Sequence, residues 1–465
     1  MYLLLNTFLL VSFSITGILA DFLGPTYPFP QDLTSERSHV SAAWKNVTST
    51  LDKYLQDPSP ELKGPAGLKN LTFSLGMFSI HDTTAANLLQ YHYTSAEVAN
   101  STVGITNVDG DSIYRVASIS KLVTAYAAEL NLDARDWDRP ITDFVPTLAQ
   151  YTQKNPGEKD PVNIIQWDQV TLAALGSQLA GTPRDVIPLD GSDYLYIDPD
   201  PVGSYGLPPL NISDPIAIPP CANATEVNCP ANEYAKGAQA RPPTFLPWTS
   251  PEYTDFGFIL LGLAIGNITN KNILDIYHDS IFRPLNMTSS SSRVPPDNST
   301  WSKHVIPGDV SNALLRPEQV PTLPTPSGGI FSSTNDLAKW GVALLNSTLL
   351  PPEQTRRWMK PVTFTANLQY AIGRPWEIYR YVHQPSGIVT DIYTKWGDSG
   401  AYGGYIILLP DFDAGFSVLG ASSLPQRGLV TPILADLITE TMIPALTRAS
   451  GSRSQRQLRG HVHRW

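Results

Sequence analysis

The chain has 465 residues, and its 42 acidic and 32 basic side chains give a net charge of −10. Only 16% of the residues are charged and 42% are hydrophobic, which indicates a globular chain and excludes a solvated polymer. Phosphate groups repel an acidic chain that lacks long Lys/Arg blocks, so a nucleic-acid partner is disfavoured.

The first twenty residues form an apolar stretch that ends in small residues, the pattern of a secretory signal peptide. We predict cleavage after Ala20; the alternative is a buried N-terminal helix. No later apolar run reaches the ~18 residues that a membrane span needs. We therefore expect a secreted protein of a eukaryotic secretory pathway, with no membrane association after signal removal.

Nine Asn-x-Ser/Thr sequons support a secretory route, because such sites accept glycans in that pathway. They are Asn46, Asn70, Asn100, Asn211, Asn223, Asn267, Asn286, Asn298 and Asn346. The two cysteines, Cys221 and Cys229, lie in a Pro-rich loop. In an oxidising compartment they would most simply form a disulfide that closes this loop, and two free thiols are the alternative.

The N-terminal half begins with a predicted helix over Ser35 to Leu55. Apolar and β-branched residues separated by a polar turn then predict two strands of a hairpin, Leu71 to Ile80 and Asn87 to Thr94. Helical spacing of apolar residues predicts a helix from Ser118 and a shorter one over Val170 to Gly181.

Residues 183–251 include fourteen prolines, which predicts an ordered loop excursion and excludes continuous helix or central strand. Helices are predicted again from Asp255 and after an N-cap at Ser333 or Thr334. The C-terminal segments GIVTDIYTKWG, GGYIILLP and AGFSVLGAS predict three strands, followed by a helix over about Leu429 to Ala445. Residues 447–465 carry five arginines and no acid, and we predict a disordered tail there.

Strands near both ends of the chain, with helices between them, predict an α/β (α+β) architecture in which both ends contribute to one sheet. After the signal peptide over residues 1–20, one two-lobed domain is expected over residues 21–446. Its sheet lobe would comprise about 33–118 and 360–446. Its helical lobe would comprise about 119–359 and include the Pro-rich insert 183–251.

The segment Ser118-Ile119-Ser120-Lys121 places a hydroxyl and an amine three residues apart at the start of a helix. At this spacing both groups lie on one helix face, and the helix N-terminus stabilises an anion that forms on Ser118. A lysine removed from water can accept the serine proton, which makes the serine a nucleophile. A solvated Ser/Lys pair with no catalytic role is the alternative.

Two further segments carry the chemistry that such a nucleophile needs. Tyr253 precedes a helix, and beside a lysine its phenol can be pushed toward phenolate and relay a proton; a half-buried core tyrosine is the alternative. Lys395-Trp396-Gly397 lies in a predicted strand. A strand edge next to a glycine lets an acyl group lie against backbone N–H groups, as an oxyanion hole requires.

The ordered set of Ser-x-x-Lys, Tyr-x-Asp and Lys-x-Gly resembles the serine β-lactamase and penicillin-binding-protein superfamily. The likeness is greatest to class C β-lactamases, family VIII carboxylesterases and fungal β-lactamase-like proteins. It extends over about Leu71 to Ala445 through the phrases YRVASISKLVTAY, VTLAALGSQLAGTPRD, YTDFGFILLG, IFRPLNMTSS, PSGGIFSSTNDLAKW and GYIILLPD. The resemblance implies an antiparallel sheet flanked by helices and a mainly helical second lobe, as in DD-peptidases.

The resemblance also implies a role for each matching residue. Ser118 would accept the acyl group, Lys121 would be its base partner, and Tyr253 would be a second proton relay. Lys395 would support that tyrosine and the substrate electrostatically. The backbone N–H groups of Ser118 and Asp398 would form the oxyanion hole, and Gly397 would belong to the same substrate-binding region.

Three departures from the family pattern weaken a β-lactamase assignment more than serine acyl transfer in general. Asp255 replaces the usual Asn or Ser; its carboxylate should pair with Lys121 and favour the ammonium form. Trp396 is bulky where β-lactamases have a small residue, so we expect a narrower or more apolar wall there. The Pro-rich insert 183–251 is long for this position and should shape the substrate rim.

These observations predict a secreted serine hydrolase that acts through an acyl-serine intermediate on a small-molecule ester or amide. An acyltransferase or tailoring enzyme of secondary metabolism would use the same acyl-enzyme, and a pseudoenzyme or binding protein that retains the cleft is a further alternative. No cofactor is expected. The eight histidines show no paired ligand spacing, so no metal site is expected either.

Overall fold

The computed structural model describes residues 28–56, 67–154, 160–184, 235, 242–293, 298–308, 325–399, 401–424 and 427–462. The predicted signal peptide, both cysteines (Cys221 and Cys229) and the sequons Asn211 and Asn223 lie outside these residues. Most of the Pro-rich insert lies outside them as well.

Ten strands are numbered here in chain order, and eight of them form one antiparallel sheet. They are β1 (Thr72–Ser79), β2 (Gln90–Tyr93), β3 (Tyr114–Arg115), β4 (Phe331–Ser332), β5 (Thr363–Phe364), β6 (Tyr370–Ile372), β7 (Glu377–Val382), β8 (Val389–Ser399), β9 (Tyr402–Leu409) and β10 (Ala414–Ala421). The order in the large sheet is β2-β1-β10-β9-β8-β7-β6-β5, and β3 pairs with β4 separately.

Strands from the two ends of the chain pair inside this sheet, one strand in from its β2 edge, and both ends contribute to one sheet as the sequence predicted. Strand β1 pairs with β10 along its whole length, from Thr72 opposite Ala421 to Ser79 opposite Ala414. Every residue of both strands is buried, because helices cover the two faces of the sheet. The predicted hairpin of β1 and β2 is present, with one short helix in its connection.

Twelve α-helices are also numbered in chain order. They are α1 (His39–Gln56), α2 (Ala85–Leu88), α3 (Ala96–Ala99), α4 (Ile119–Asn131), α5 (Pro146–Lys154), α6 (Leu172–Gly176), α7 (Asp255–Thr269), α8 (Ile273–Tyr277), α9 (Thr325–Gly328), α10 (Thr334–Leu345), α11 (Pro352–Trp358) and α12 (Arg427–Val462). The helices predicted from Ser118, from Asp255 and after Ser333 correspond to α4, α7 and α10.

Two hydrophobic cores lie on opposite faces of the sheet. Helices α1 and α12 pack on each other and on the sheet, and the core between them includes Trp44, Phe416 and Ile438. Helices α4 and α10 cover the other face, with Leu122 and Trp340 in the larger core that continues into the helical lobe. The site described below lies where α4 meets the sheet on this second face.

The final helix differs from the prediction. It continues to Val462, through most of the segment that we predicted as a disordered tail. Within it, Gly428–Gly451 has the length and mean hydropathy (1.4) of a membrane-spanning helix, although it contains Asp436 and Glu440. Half of this stretch is buried in the protein, and the helix packs on α1 and β10.

Candidate active site

The turn before α4 holds Ser118 in a fixed position. Ala117 has a positive φ of 47°, a conformation that costs a non-glycine residue free energy and persists only where neighbours enforce it. Ser120 provides that constraint: its hydroxyl donates to Ala117 O at 2.6 Å and accepts from Ile330 N at 3.0 Å. Ser118 then occupies the N-cap position of α4.

Lys121 lies one helical turn after Ser118 and its side chain is 0% exposed. Its ammonium donates to Ser118 Oγ at 3.0 Å and to the backbone oxygen of Ser327 at 3.0 Å. A third bond goes to Asp255 Oδ1. Because a lysine ammonium has three hydrogens, these acceptors match its full donor capacity, and the predicted pairing of Lys121 with Asp255 is confirmed.

Asp255 is held in this position by the start of α7. The N-cap Thr254 accepts from Gly257 N at 2.8 Å, and Asp255 N donates to Arg184 O at 2.9 Å. Helix α7 also lies very close to α9: a Cβ on Gly262 would be 2.4 Å from Pro326 Cγ. This close approach brings the Asp255 carboxylate and the Ser327 carbonyl onto the same lysine.

Tyr253 reaches the nucleophile from the segment before α7. Its hydroxyl donates to Ser118 Oγ at 2.5 Å. Burial raises the pKa of Tyr253 well above its usual range, and the positive charge of Lys395 offsets this only in part. The expectation that a neighbouring lysine drives this residue toward phenolate therefore fails for the resting site, where Tyr253 is a neutral phenol.

Lys395 is bound differently from Lys121. It is 1% exposed, and its ammonium donates to Glu377 Oε1 and, at 2.8 Å, to Trp396 O. The other carboxylate oxygen of Glu377 accepts from Trp396 N at 2.8 Å. No motif in the sequence indicated Glu377, which contacts Lys395 and Trp396 because it begins β7 opposite Thr394 in the neighbouring strand.

The backbone of β8 contacts the turn that holds Ser118, and it does so at Gly397. A Cβ there would lie 2.2 Å from Val116 O and 3.0 Å from Ser118 N, so only glycine fits. Trp396 N points toward the β7 side, where it meets Glu377. Because backbone N–H groups alternate in direction along a strand, Asp398 N–H points to the same side as Trp396 N.

Trp396 was expected to make the cleft narrower or more apolar. It stacks on Tyr405, with 6.2 Å between ring centroids, and it is not among the residues that line the cleft described next. Successive side chains of a strand point to opposite faces, so Trp396 lies on the face opposite Lys395. Its assignment as a substrate-binding residue stays a prediction.

A cleft of about 450 Å³ opens beside Tyr253. One wall is the segment 249–253 with Gln178, and the other is formed by β5, the start of the β5–β6 turn, Ile372, Pro375 and Glu377. The cleft therefore adjoins both Tyr253 and the carboxylate that holds Lys395.

The remaining predicted site residues fall away from the cleft. Six sequon asparagines are exposed, as a glycan acceptor must be: Asn46, Asn70, Asn100, Asn267, Asn286 and Asn346. Asn298 begins a short 3₁₀ helix. Within the described ranges, no group of three or more His, Cys, Asp or Glu residues could hold a metal ion.

A sheet made from both chain ends, and a serine, lysine and tyrosine brought together beside it, define a protein of the serine β-lactamase and penicillin-binding-protein superfamily. Comparison with known families agrees, because the model of the family described as Beta-lactamase matches residues 86–439. The chain belongs to that family.

Three individual proteins that resemble this chain in sequence or fold are at most 27% identical to it. A Beta-lactamase-like protein from Arthroderma benhamiae is 27% identical, over 96% of this chain and 69% of that protein. The unguisins hydrolase ungD' from Aspergillus campestris is 25% identical, over 68% of this chain and 53% of that protein. D-amino acid amidase from Ochrobactrum anthropi shares the fold, with a TM-score of 0.55 at 15% identity, covering 88% of this chain and 99% of that chain.

Proposed function

We propose that this protein is a secreted serine hydrolase that forms an acyl intermediate on Ser118 from an ester or amide of a small molecule. One observation carries the proposal: Ser118 Oγ lies within hydrogen-bond distance of both Lys121 Nζ, at 3.0 Å, and Tyr253 OH, at 2.5 Å. A nucleophile that contacts two proton-transfer groups is the arrangement that serine acyl transfer requires.

In the proposed reaction, Ser118 Oγ attacks the carbonyl carbon while its proton passes to the neutral form of Lys121. The carbonyl oxygen becomes an oxyanion that accepts from the N–H groups of Ser118 and Asp398. The bond to the leaving alcohol or amine then breaks, and Tyr253 donates the proton that the leaving group needs. Tyr253 recovers a proton from Lys121, and water releases the acyl group from Ser118.

The neutral Tyr253 fits the role of proton donor. Its raised pKa keeps the phenol protonated at neutral pH, so a proton is available when the leaving group departs. Asp255 stabilises the ammonium that forms when Lys121 accepts the proton of Ser118, since the two side chains form a buried ion pair.

Labelling of the nucleophile tests the proposal. The purified protein is treated with a fluorophosphonate or a fluorescent penicillin, and the adduct is located by mass spectrometry. We expect modification of Ser118, and no modification or ester hydrolysis in Ser118→Ala. Absence of an adduct, together with equal ester turnover by the wild type and Ser118→Ala, would support the alternative of a binding protein that retains the cleft.

An acyltransferase or tailoring enzyme of secondary metabolism is the second candidate, because it would use the same acyl-Ser118. The similarity to a relative described as an unguisins hydrolase favours the tailoring enzyme, whereas the acyltransferase rests on the shared acyl-Ser118 alone. Product analysis with and without added alcohols or amines separates the two candidates: transfer products that exceed the hydrolysis product would favour the acyltransferase.

Secretion and its modifications are part of the proposal. They rest on the signal-like residues 1–20 and on the six exposed sequons. Expression in a eukaryotic secretory host should give medium protein that begins at Asp21, loses mass on glycosidase treatment and contains a Cys221–Cys229 disulfide. Retention of the first twenty residues in an unglycosylated product would contradict it.

A further inference from the structure

The cleft beside Tyr253 carries a charge that bears on substrate choice. Among the described residues that line it, the side chains that are charged at neutral pH are Glu252 and Glu377. Glu377 is paired with Lys395, whereas Glu252 is partly exposed and has no ion-pair partner among the described residues. The described lining therefore presents the negative charge of Glu252 to whatever enters the cleft.

Lys395, which lies next to the cleft, already has a counter-ion. Its side chain is 1% exposed, and its ammonium donates to Glu377 and to Trp396 O. A substrate carboxylate that approached this lysine would lie beside the Glu377 carboxylate, which repels it. Arg184, whose guanidinium is 5.4 Å from the Tyr253 ring centroid, is not among the residues that line the cleft.

The cleft also offers a large apolar contact. Phe364 lines it while 70% exposed, and Pro251, Ile372 and Pro375 contribute further apolar surface. An aromatic ring left in water at the entrance of a cleft gains free energy when a ligand group covers it. The occupant should thus have an apolar body of the size of a ring or a branched alkyl group.

We propose that Glu252, Glu377 and Phe364 determine specificity, and that the cleft takes an apolar substrate group that is neutral or positively charged and rejects one that carries a carboxylate. The substrate class is an ester or amide that has no carboxylate near the scissile bond. This inference rests on the proposed serine hydrolase function.

The charge preference is tested with matched esters. One set of three aryl butanoates carries a carbamoylmethyl, a carboxymethyl or an aminoethyl group on the aryl ring; all three groups have a saturated carbon next to the ring, which keeps the leaving groups similar. A second set places a neutral, anionic or cationic end on the acyl chain of 4-nitrophenyl esters. In at least one set, kcat/KM for the neutral and cationic esters should exceed that for the anionic ester at least tenfold.

Variants connect this preference to the named residues. In Glu252→Gln, the neutral-to-anionic ratio of kcat/KM should fall at least threefold. Phe364→Ala should raise KM for the larger aryl esters at least fivefold relative to ethyl acetate. Leu368→Ala is the matched control, because Leu368 is 91% exposed in the same β5–β6 turn and does not line the cleft; it should change neither ratio.

The outcomes separate this inference from the proposed function. Equal turnover of neutral and anionic esters in both sets, or a ratio that Glu252→Gln leaves unchanged, overturns the charge preference while acylation of Ser118 stands. If the labelling reagents leave Ser118 unmodified and no ester is turned over, the proposed function itself fails.

Discussion

Two buried lysine–carboxylate pairs face the same tyrosine ring, and they differ in what each lysine contacts besides its carboxylate. Lys121 Nζ lies 4.7 Å and Lys395 Nζ 5.3 Å from the Tyr253 ring centroid. Lys121 also donates a hydrogen bond to Ser118, the proposed nucleophile, whereas Lys395 donates one to the backbone of its own strand. Two lysines of similar burial and pairing thus fit different roles. Lys121 is placed for proton transfer with Ser118, whereas Lys395 fixes the conformation of its strand and contributes positive charge near Tyr253.

The sharpest way to break this comparison is to remove each lysine and measure activity. We expect Lys121→Met to lower kcat/KM for a neutral ester by about 10³ to 10⁴, since the proton acceptor is lost. Lys395→Met should lower it by only about 10 to 10², because Tyr253 and Lys121 still contact Ser118. Equal losses in the two variants, with circular dichroism spectra like that of the wild type, would mean that the two lysines share one role.

The same two variants should differ in stability, which tests the comparison without any substrate. The side chains of Lys121 and Asp255 are 0% and 12% exposed, and those of Lys395 and Glu377 are 1% and 28% exposed. Removing Lys121 leaves the more deeply buried carboxylate unpaired and should lower the free energy of unfolding by about 3 to 5 kcal/mol. For Lys395→Met we expect about 1 to 3 kcal/mol, because water reaches Glu377.

Urea unfolding followed by tryptophan fluorescence measures both values. The control is Arg357→Met, which breaks an ion pair with Glu353 whose side chains are 80% and 70% exposed. Its effect should remain within about 0.5 kcal/mol. A greater loss of stability for Lys395→Met than for Lys121→Met would contradict the ranking.

Gly397 belongs to the strand of Lys395 and contacts the turn that holds Ser118. A substitution there tests whether the sites of the two lysines depend on one backbone contact. In Gly397→Ala the new Cβ would lie 2.2 Å from Val116 O and 3.0 Å from Ser118 N, so either the strand or the turn that holds Ser118 must move. We expect kcat to fall about 10²-fold, the size of effect seen when an oxyanion donor is lost. Gly451→Ala is the control, since a Cβ there meets nothing within 4 Å. Wild-type activity in Gly397→Ala as well as in Gly451→Ala would contradict the importance of this contact.

The smallest expected difference is in the pH profile of kcat/KM. Because burial raises the pKa of the Tyr253 phenol, this group remains protonated well above pH 7 and contributes no titration in the acid and neutral range. Tyr253→Phe should therefore lower kcat without shifting the acid limb of the profile. An acid limb that moves in this variant would contradict a neutral phenol at Tyr253.

The sequence predicted the parts of this molecule whose signal is local. The pattern of β8 to β10 and the hairpin of β1 and β2 could be read from alternation of apolar residues and from turns. Ser118, Lys121 and Tyr253 carried short motifs, and the structure brings these three residues together. Asp255 could be paired with Lys121 in advance because its place in the Tyr-x-Asp motif indicated its neighbour.

Features that depend on strand register or on weak local patterns were missed. Glu377 contacts the motif of Lys395 only because β7 pairs with β8 in one register, and no spacing in the sequence specifies that register. Strands β5 and β6 have two and three residues, too few for a periodic pattern. The Arg-rich end was predicted as disordered because it carries five arginines and no acid, but arginine and glutamine favour helix, and α12 continues through most of it to Val462.

The pairing of β1 with β10 has a consequence for how the active protein forms. The turn that holds Ser118 follows β1 and β2 in the chain, whereas Lys395 and Gly397 belong to β8, near the other end. Contacts between distant parts of a chain form slowly, because a long loop must close before they contribute any stability. Activity should accordingly be a late event in refolding, and a ribosome-bound chain that lacks β8 to β10 should contain Ser118 and still form no acyl-enzyme.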